Sequence, residues 1–384
     1  MRRMHVLTIA VFVCASLRAA EPVQLTIDSK IMGEKRTAFV SLPASYATST
    51  HRYPVLYMTD APQQFDHTVA TAAFLANTGR MPEVIVVGVT NTDRTRDLTP
   101  THIESDTWGG RRMSFPTSGG AAKFLSFFES ELIPQIESSY RTIPYRVFAG
   151  HSFGGLFALN ALFTKPKLFN AVIAVSPTFV WDDGWVLRSA QKFVAGNPDL
   201  NASLVVTLGD EGEMKTGFED LKKLMSRRAP RGFTSNAYYF GDEDHGSVVL
   251  PSHHAALKTI FAPWSFHIRP EDDVKTLYSR AKQHYAELSK RIGTTVSVPE
   301  QMGNQIGYLL LNAKANGEAI EVFRANAAAY PGSANVYDSL GEALELTGDR
   351  EGAKTSYAKA VEIAARLNSA VLPVYRKNLE RVSQ

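Results

Sequence analysis

Only one of the 384 residues is cysteine, Cys14, and it falls within the first twenty. The rest of the chain therefore has no disulfide, no catalytic thiol and no thiolate metal site. No H-E-x-x-H motif or other close histidine–carboxylate ligand set occurs. His253-His254 is the one weak pair, so neither metal nor cofactor is expected. Charge of one sign is also missing: Lys and Arg total 41 against 38 Asp and Glu. Three of the 41 are Arg2, Arg3 and Arg18, and without them the balance is zero. Basic runs interleaved with aromatics are absent, which removes the electrostatic case for nucleic acid.

The first twenty residues have a function of their own. Arg2 and Arg3 precede an apolar run, Val6 to Val13, followed by small residues up to Ala20. This reads as a secretory signal peptide cut after Ala19 or Ala20. The run is too short to anchor the mature protein across a membrane. The residues before Cys14 do not suit lipid attachment, which wants a small residue just before the cysteine. An exported protein without cysteine points to the bacterial periplasm or medium, since eukaryotic secreted chains of this size usually use disulfides.

What remains is 44% hydrophobic over the whole sequence, enough to bury a full core. From residue 21 to about 267, short β-rich runs alternate with helical periodicity. Strands are expected at Val23–Ile27, Thr37–Leu42, Val55–Thr59, Val84–Val89, Val147–Ala149, Ala171–Val175, Leu204–Leu208 and Ala237–Phe240. Helices are expected over 120–140, 154–164, 184–195 and 215–228. Such alternation predicts an α/β fold with a mostly parallel central sheet covered on both faces. The first two strands have no helix between them and suit an antiparallel edge. The polar stretch 91–117 reads as a long surface loop.

From 268 to 384, β-branched runs disappear and Ala, Leu, Glu and Lys dominate. Ile306-Gly307 recurs as Leu340-Gly341, Ala319 as Ala353, and Phe323 as Tyr357, each 34 residues on. That is the tetratricopeptide period. A small all-α domain of two repeats behind a leading helix, 272–291, is expected. Two repeats leave apolar faces to cover, so the array should lean on the α/β domain, a second copy or a protein partner.

The chemistry is carried by Tyr145 to Gly155, Y-R-V-F-A-G-H-S-F-G-G. A strand runs into Gly150-His151-Ser152-Phe153-Gly154, and a helical apolar pattern follows. Small residues two before and two after the serine let strand and helix backbones nearly touch, which thrusts the hydroxyl outward. A serine needs a base to take its proton. In this arrangement an acid follows a later strand and a histidine comes last. His245, in Gly241-Asp242-Glu243-Asp244-His245-Gly246, fills the last place. His151 lies inside the elbow, and His67 and His102 come too early. His253 and His254 fall on a helix start as surface or capping residues. The acid is Glu211, with Asp210 and Glu213 as alternatives. The oxyanion donors are Phe153 N–H and, in the loop after the third strand, Ala61 N–H, because Pro62 has none.

With these residues placed, the chain resembles the esterase family of α/β-hydrolases that includes siderophore esterases, esterase D-like enzymes and mycolyltransferases. The matches are Tyr53 to Asp60, Asn91 to Pro100, Gly119 to Phe124, the Ser152 elbow, Ser176-Pro177 leading to Trp181, and Glu243 to Gly246. They cover about residues 22–265. The family often has Asp-Gly where this chain has Asp60-Ala61. The resemblance implies hydrolysis of carboxylic esters through an acyl-enzyme on Ser152, and places Asp60, Arg94 and Trp181 at the substrate site. A siderophore lactone would favour a basic pocket from Arg94 and Arg96. Capture of the same acyl-enzyme by an alcohol gives an acyltransferase. A repeat-bearing scaffold without chemistry is the remaining alternative, which the complete set Ser152, Glu211 and His245 argues against.

Overall fold

The computed structural model describes residues 21–384 apart from Thr48 and Gly109. The expected signal peptide lies outside the described residues. Along the chain run β1 (Val23–Ser29), β2 (Glu34–Ser41), β3 (Tyr53–Met58), α1 (Ala61–Asn77), β4 (Ile85–Val89) and α2 (Arg94–Leu98). A hairpin of β5 (Ser105–Trp108) and β6 (Arg111–Ser114) follows, then α3 (Ala121–Phe127), α4 (Ile133–Ser139), β7 (Thr142–His151) and α5 (Phe153–Thr164). Next come β8 (Ala171–Val175), α6 (Trp181–Gly196), β9 (Ser203–Leu208), α7 (Gly212–Arg228), β10 (Thr234–Tyr239) and α8 (Val249–Phe261). The remaining helices are α9 (Leu277–Ile292), α10 (Glu300–Asn312), α11 (Asn316–Ala329), α12 (Ala334–Leu346), α13 (Arg350–Arg366) and α14 (Leu372–Ser383).

Among the described residues eight strands form one sheet in the order β1-β2-β4-β3-β7-β8-β9-β10. β1, β2 and β4 pair antiparallel, and the rest are parallel. The chain is thus an α/β-hydrolase with an antiparallel edge, as the helix-free β1–β2 link predicts. β3, β4 and β8 are buried at every residue, because a parallel sheet covered on both faces has no wet side. Alternate residues divide between two cores. Val55, Tyr57, Phe148, Val172 and Leu204 meet α3, α5, α6 and α7. Leu56, Met58, Val147, Ile173 and Val205 meet α1 and α8.

Four local features depart from expectation. α1 lies where a loop was expected. Its buried positions Ala61, Phe65, Thr68, Ala72 and Leu75 keep helical spacing, and Pro62 suits a first turn because that turn's N–H groups have no intrahelical acceptor. The helix expected over 120–140 is split by a wide π turn at Phe128–Leu132. The stretch 91–117 is no bare loop but holds α2 and the β5–β6 hairpin. α6 begins with a kink, where Asp182, Asp183 and Gly184 all have positive φ.

α10–α11 and α12–α13 form two successive helical hairpins with the same internal joint. A Cβ on Gly307 would lie 2.5 Å from the Phe323 ring, and one on Gly341 would lie 2.7 Å from the Tyr357 ring. The bare glycine lets an aromatic from the next helix press onto the backbone. α9 joins the two parts. Its Leu277 and Ala281 pack into the helical core, whereas its Tyr285 and Leu288 pack with Tyr145, Phe261 and Trp264 under the sheet. Tyr285 Oη also donates to the Trp264 carbonyl at 3.1 Å.

A cut after residue 267 should therefore strip α9 from the α/β core. Burial of Tyr285 and Leu288 is worth about 1.5–3 kcal/mol each. The shortened protein is expected to melt at lower temperature or to aggregate, whereas a cut after residue 298 keeps a monodisperse α/β part. Sedimentation velocity and thermal unfolding of both truncations check this. Equal behaviour of the two would rule out α9 as a structural part of the α/β core.

Candidate active site

β7 ends at His151 and α5 begins at Phe153, so Ser152 alone makes the turn. The crossing is so tight that a Cβ on Gly150 would sit 2.0 Å from the Gly154 carbonyl oxygen. Ser152 adopts φ 61° and ψ −118°, a conformation that costs a non-glycine residue about 1–3 kcal/mol. Its N–H donates to the Val175 carbonyl at 3.0 Å, and its carbonyl accepts from Leu156 N–H at 2.9 Å. Neighbouring β8 pins the turn on one side and α5 on the other. α5 starts with Phe153 and α1 with Ala61. The first N–H groups of a helix lack intrahelical acceptors, so both first turns offer free donors at the helix's positive end.

Two loops from the far side of the sheet close on the elbow. Glu211 follows β9 and His245 follows β10. Glu211 Oε2 lies 2.5 Å from His245 Nδ1. The rival acids are placed otherwise: Asp210 accepts from Tyr239 Oη at 2.8 Å, and Glu213 sits in the first turn of α7. The loops are tied by Asp210 N–H, which donates to the Glu243 carbonyl at 2.7 Å. The Asp244 carboxylate accepts from the Gly246 and Ser247 N–H groups, at 2.8 and 2.7 Å. Those two backbone donors hold it below the usual aspartate range. Burial opposes the charge on Glu211, but the hydrogen bond from His245 and the nearby Ser176 hydroxyl outweigh it. Its carboxyl lies below the ordinary glutamate range and is ionised at neutral pH.

His151 joins elbow to base loop. Its Nε2 lies 2.7 Å from the His245 carbonyl oxygen. Burial first, and then the neighbouring His245, push the His151 ring down to about 4. The sequence assigned it no part at the site, since nothing in a one-dimensional string shows which loop a side chain will meet.

Asp60 and Arg94 also meet at the elbow. Asp60 has φ 56°, is buried, and accepts from Arg94 Nε at 2.7 Å and Nη2 at 3.1 Å. Arg94 lies over the Phe153 ring, 5.3 Å from its centroid. Beside them opens a cavity of about 470 Å³ lined by Pro62, Gln63, Gln64, Asn91, Thr92 and His151 together with this ion pair.

Three expectations need correction. Arg96 adds no charge to this cavity, because Glu34 at 2.6 Å and Asp97 at 2.8 Å neutralise it. Trp181 is fully buried and cannot touch substrate as it stands. Its Nε1 donates to Thr101 Oγ1 at 3.0 Å, and its ring backs Phe153 edge-on at 5.4 Å. His253 is corrected as well. It lies inside α8 rather than at a helix start, is 2% exposed, and meets Thr68 Oγ1 through Nδ1 at 3.0 Å. Among the described residues no group of three or more His, Cys, Asp or Glu side chains is arranged to hold a metal.

The chain is similar to several known esterases. Residues 29–246 match the family described as "Putative esterase". The ferri-bacillibactin esterase BesA of Bacillus subtilis is 30% identical over 240 residues, which are 56% of this chain and 82% of that protein. The siderophore triacetylfusarinine C esterase of Aspergillus fumigatus is 30% identical over 203 residues, 43% of this chain and 70% of that protein. Among solved structures, an IroE-like serine hydrolase of Shewanella oneidensis is 28% identical with a TM-score of 0.71, covering 80% of this chain and 99% of its own.

The half-buried His151 and the buried His253 make acid a specific stress. Burial, with His67 and His151 nearby, pushes His253 down to about 3. The unfolded chain binds protons at these sites below about pH 6.5, while the folded one does so only near 4 and 3. Stability must therefore fall as pH drops from about 6.5, with a slope of up to ~1.4 kcal/mol per unit for each such ring. His253→Asn, which keeps a donor for Thr68, is expected to flatten the fall of Tm between pH 6.5 and 4. An unchanged slope would clear His253 of this role.

Proposed function

The chain belongs to the esterase family and is a serine hydrolase of carboxylic esters, and from that premise we propose that Ser152, His245 and Glu211 perform the cleavage on a siderophore-type ester. The carrying observation is the 2.5 Å contact between Glu211 and His245 Nδ1. That contact leaves Nε2 as the proton-accepting nitrogen. His245 takes the Ser152 hydroxyl proton as the oxygen attacks the ester carbonyl. Phe153 and Ala61 N–H groups receive the negative charge on the carbonyl oxygen. His245⁺ then protonates the departing alcohol, leaving an acyl group on Ser152. Water repeats the sequence: its proton goes to His245, its oxygen to the acyl carbon, and Ser152 recovers its proton as the acid departs. Glu211 holds the ring and balances its transient charge.

The siderophore reading draws on what the two curated relatives hydrolyse. The Asp60–Arg94 pair makes the cavity beside the elbow polar and close to neutral, suited to an ester carrying amides and hydroxyls. We further read residues 21–267 as the catalytic domain and 268–384 as a tetratricopeptide-like array for self-association or a protein partner. The 34-residue recurrence supports that reading. The leader 1–20 supports export to the periplasm or medium.

Ser152→Ala is expected to lose activity by about 10⁴-fold or more, lose fluorophosphonate labelling and keep its Tm. Retention of even a few per cent of turnover would sink Ser152 as nucleophile. Glu211→Gln should lose less than Ser152→Ala, up to about 10⁴-fold, because an amide can hold the ring but not balance its charge. Glu213→Gln should stay near wild type, and the reverse pattern moves the acid. Turnover of a panel of siderophore esters against simple acyl esters tests the substrate class.

A further inference from the structure

The loop that carries His245 has little apolar anchorage. The His245 side chain is 46% exposed, and Gly241 to Gly246 contribute no residue to either core. Polar ties hold it instead. Glu211 holds the Nδ1 edge of the ring, Asp210 N–H holds the Glu243 carbonyl, and Asp244 fastens the turn that follows. The peptide carbonyl of His245 itself is met by the His151 side chain at 2.7 Å, with the two rings 4.6 Å apart at 42°. His151 directly precedes Ser152. One hydrogen bond therefore joins the residue before the nucleophile to the peptide of the base.

We propose that His151 is a positioning residue, whose Nε2–H grips the His245 carbonyl and fixes the base loop against the Ser152 elbow. The inference rests on the esterase reading above. A carbonyl oxygen can only accept, so the proton of the neutral ring sits on Nε2. The charged and titratable groups facing the ring are His245 on its loop, Asp60 and Arg94 beside the cavity, and His253 from α8. Burial keeps the ring uncharged at neutral pH. That matters because an imidazolium 4.6 Å away would oppose the positive charge His245 gains when it takes the serine proton. His151 thus supplies a donor without supplying a charge. Arg94 Nη2 in turn donates to the His151 carbonyl at 3.3 Å, which extends the clamp to Asp60.

Three proteins test this: wild type, His151→Gln and His151→Phe. A glutamine amide nitrogen reaches about as far as Nε2, whereas phenylalanine keeps a ring but has no donor. On a simple acyl ester, His151→Phe should lose about 30- to 100-fold in kcat with KM little changed, the scale of a slightly misplaced catalytic group. His151→Gln should recover to within about 5-fold of wild type on the same scale. A Tm series shows whether each variant is folded, and His151→Met replaces His151→Phe if that one is not. The low-field proton resonance of the His245–Glu211 hydrogen bond should persist in His151→Gln and fade in the donor-less variant, whether or not ester is turned over. A wild-type protein that shows the resonance pattern but cleaves no ester refutes the esterase reading alone. Full kcat in the donor-less variant, or equal damage in the glutamine variant at wild-type Tm, overturns the role of His151.

Discussion

The candidate site is organised by a collision that does not happen. Strand β7 and helix α5 cross so closely that only bare glycine fits at 150, with Gly154 directly opposite. Because that crossing leaves one residue to reverse the chain, Ser152 is forced to positive φ and its hydroxyl stands clear of both elements. The other site loops repeat the device. Asp60 follows β3 and Ser176 follows β8, and both also have positive φ without being glycine. Three nearby strands of one sheet thus end in strained non-glycine turns on the same edge. Strain of that kind persists only where surrounding structure holds it. Here α1, α5 and the packed sheet do so.

Charge around the elbow is managed by pairing. Arg94 is matched by Asp60, Arg96 by Glu34 and Asp97, and Glu211 by His245. The buried histidines stay neutral. An arginine near the elbow therefore does not by itself make a basic pocket, because Arg94 meets its counter-ion Asp60 just before the neighbouring helix. The field at Ser152 is shaped by helix N-termini and one carboxylate–imidazole pair rather than by loose cations. This suits a reaction whose charge appears only transiently, on the carbonyl oxygen and the imidazole ring.

Most of this was legible in the sequence for a physical reason. Parallel strands buried on both faces are mostly apolar, so β3, β4, β8 and β9 stand out as runs. The elbow demands glycine at fixed spacing, and chain order then nominates Glu211 and His245. The illegible parts are those settled by distant partners. Pro62 and a mixed helical face disguised α1 as a loop. Trp181 reads like a site residue, yet the site turns it inward against Phe153 and Thr101. His253 looked like a surface residue because its burial depends on Thr68 and His67, nearly two hundred residues earlier. Chain order left Asp210 and Glu213 beside Glu211 as alternatives, and the contact by which Tyr239 takes Asp210 is one that no sequence shows.

α9 carries the same lesson to the scale of the whole chain. By composition it belongs with the helices that follow, and its first turns do pack there. Its later turns complete the core beneath β7, where Tyr145, Phe261 and Trp264 would otherwise face water. A second tie lies just before β3, where His51 packs edge-on against Tyr330 at 4.4 Å. Among the described residues, the helical array is therefore seated on the α/β part near the starts of β3 and β7, away from the strand ends that carry Ser152, Glu211 and His245. Packing at the strand starts supports the sheet from below, while the strained turns at the strand ends depend on α1, α5 and their own loops.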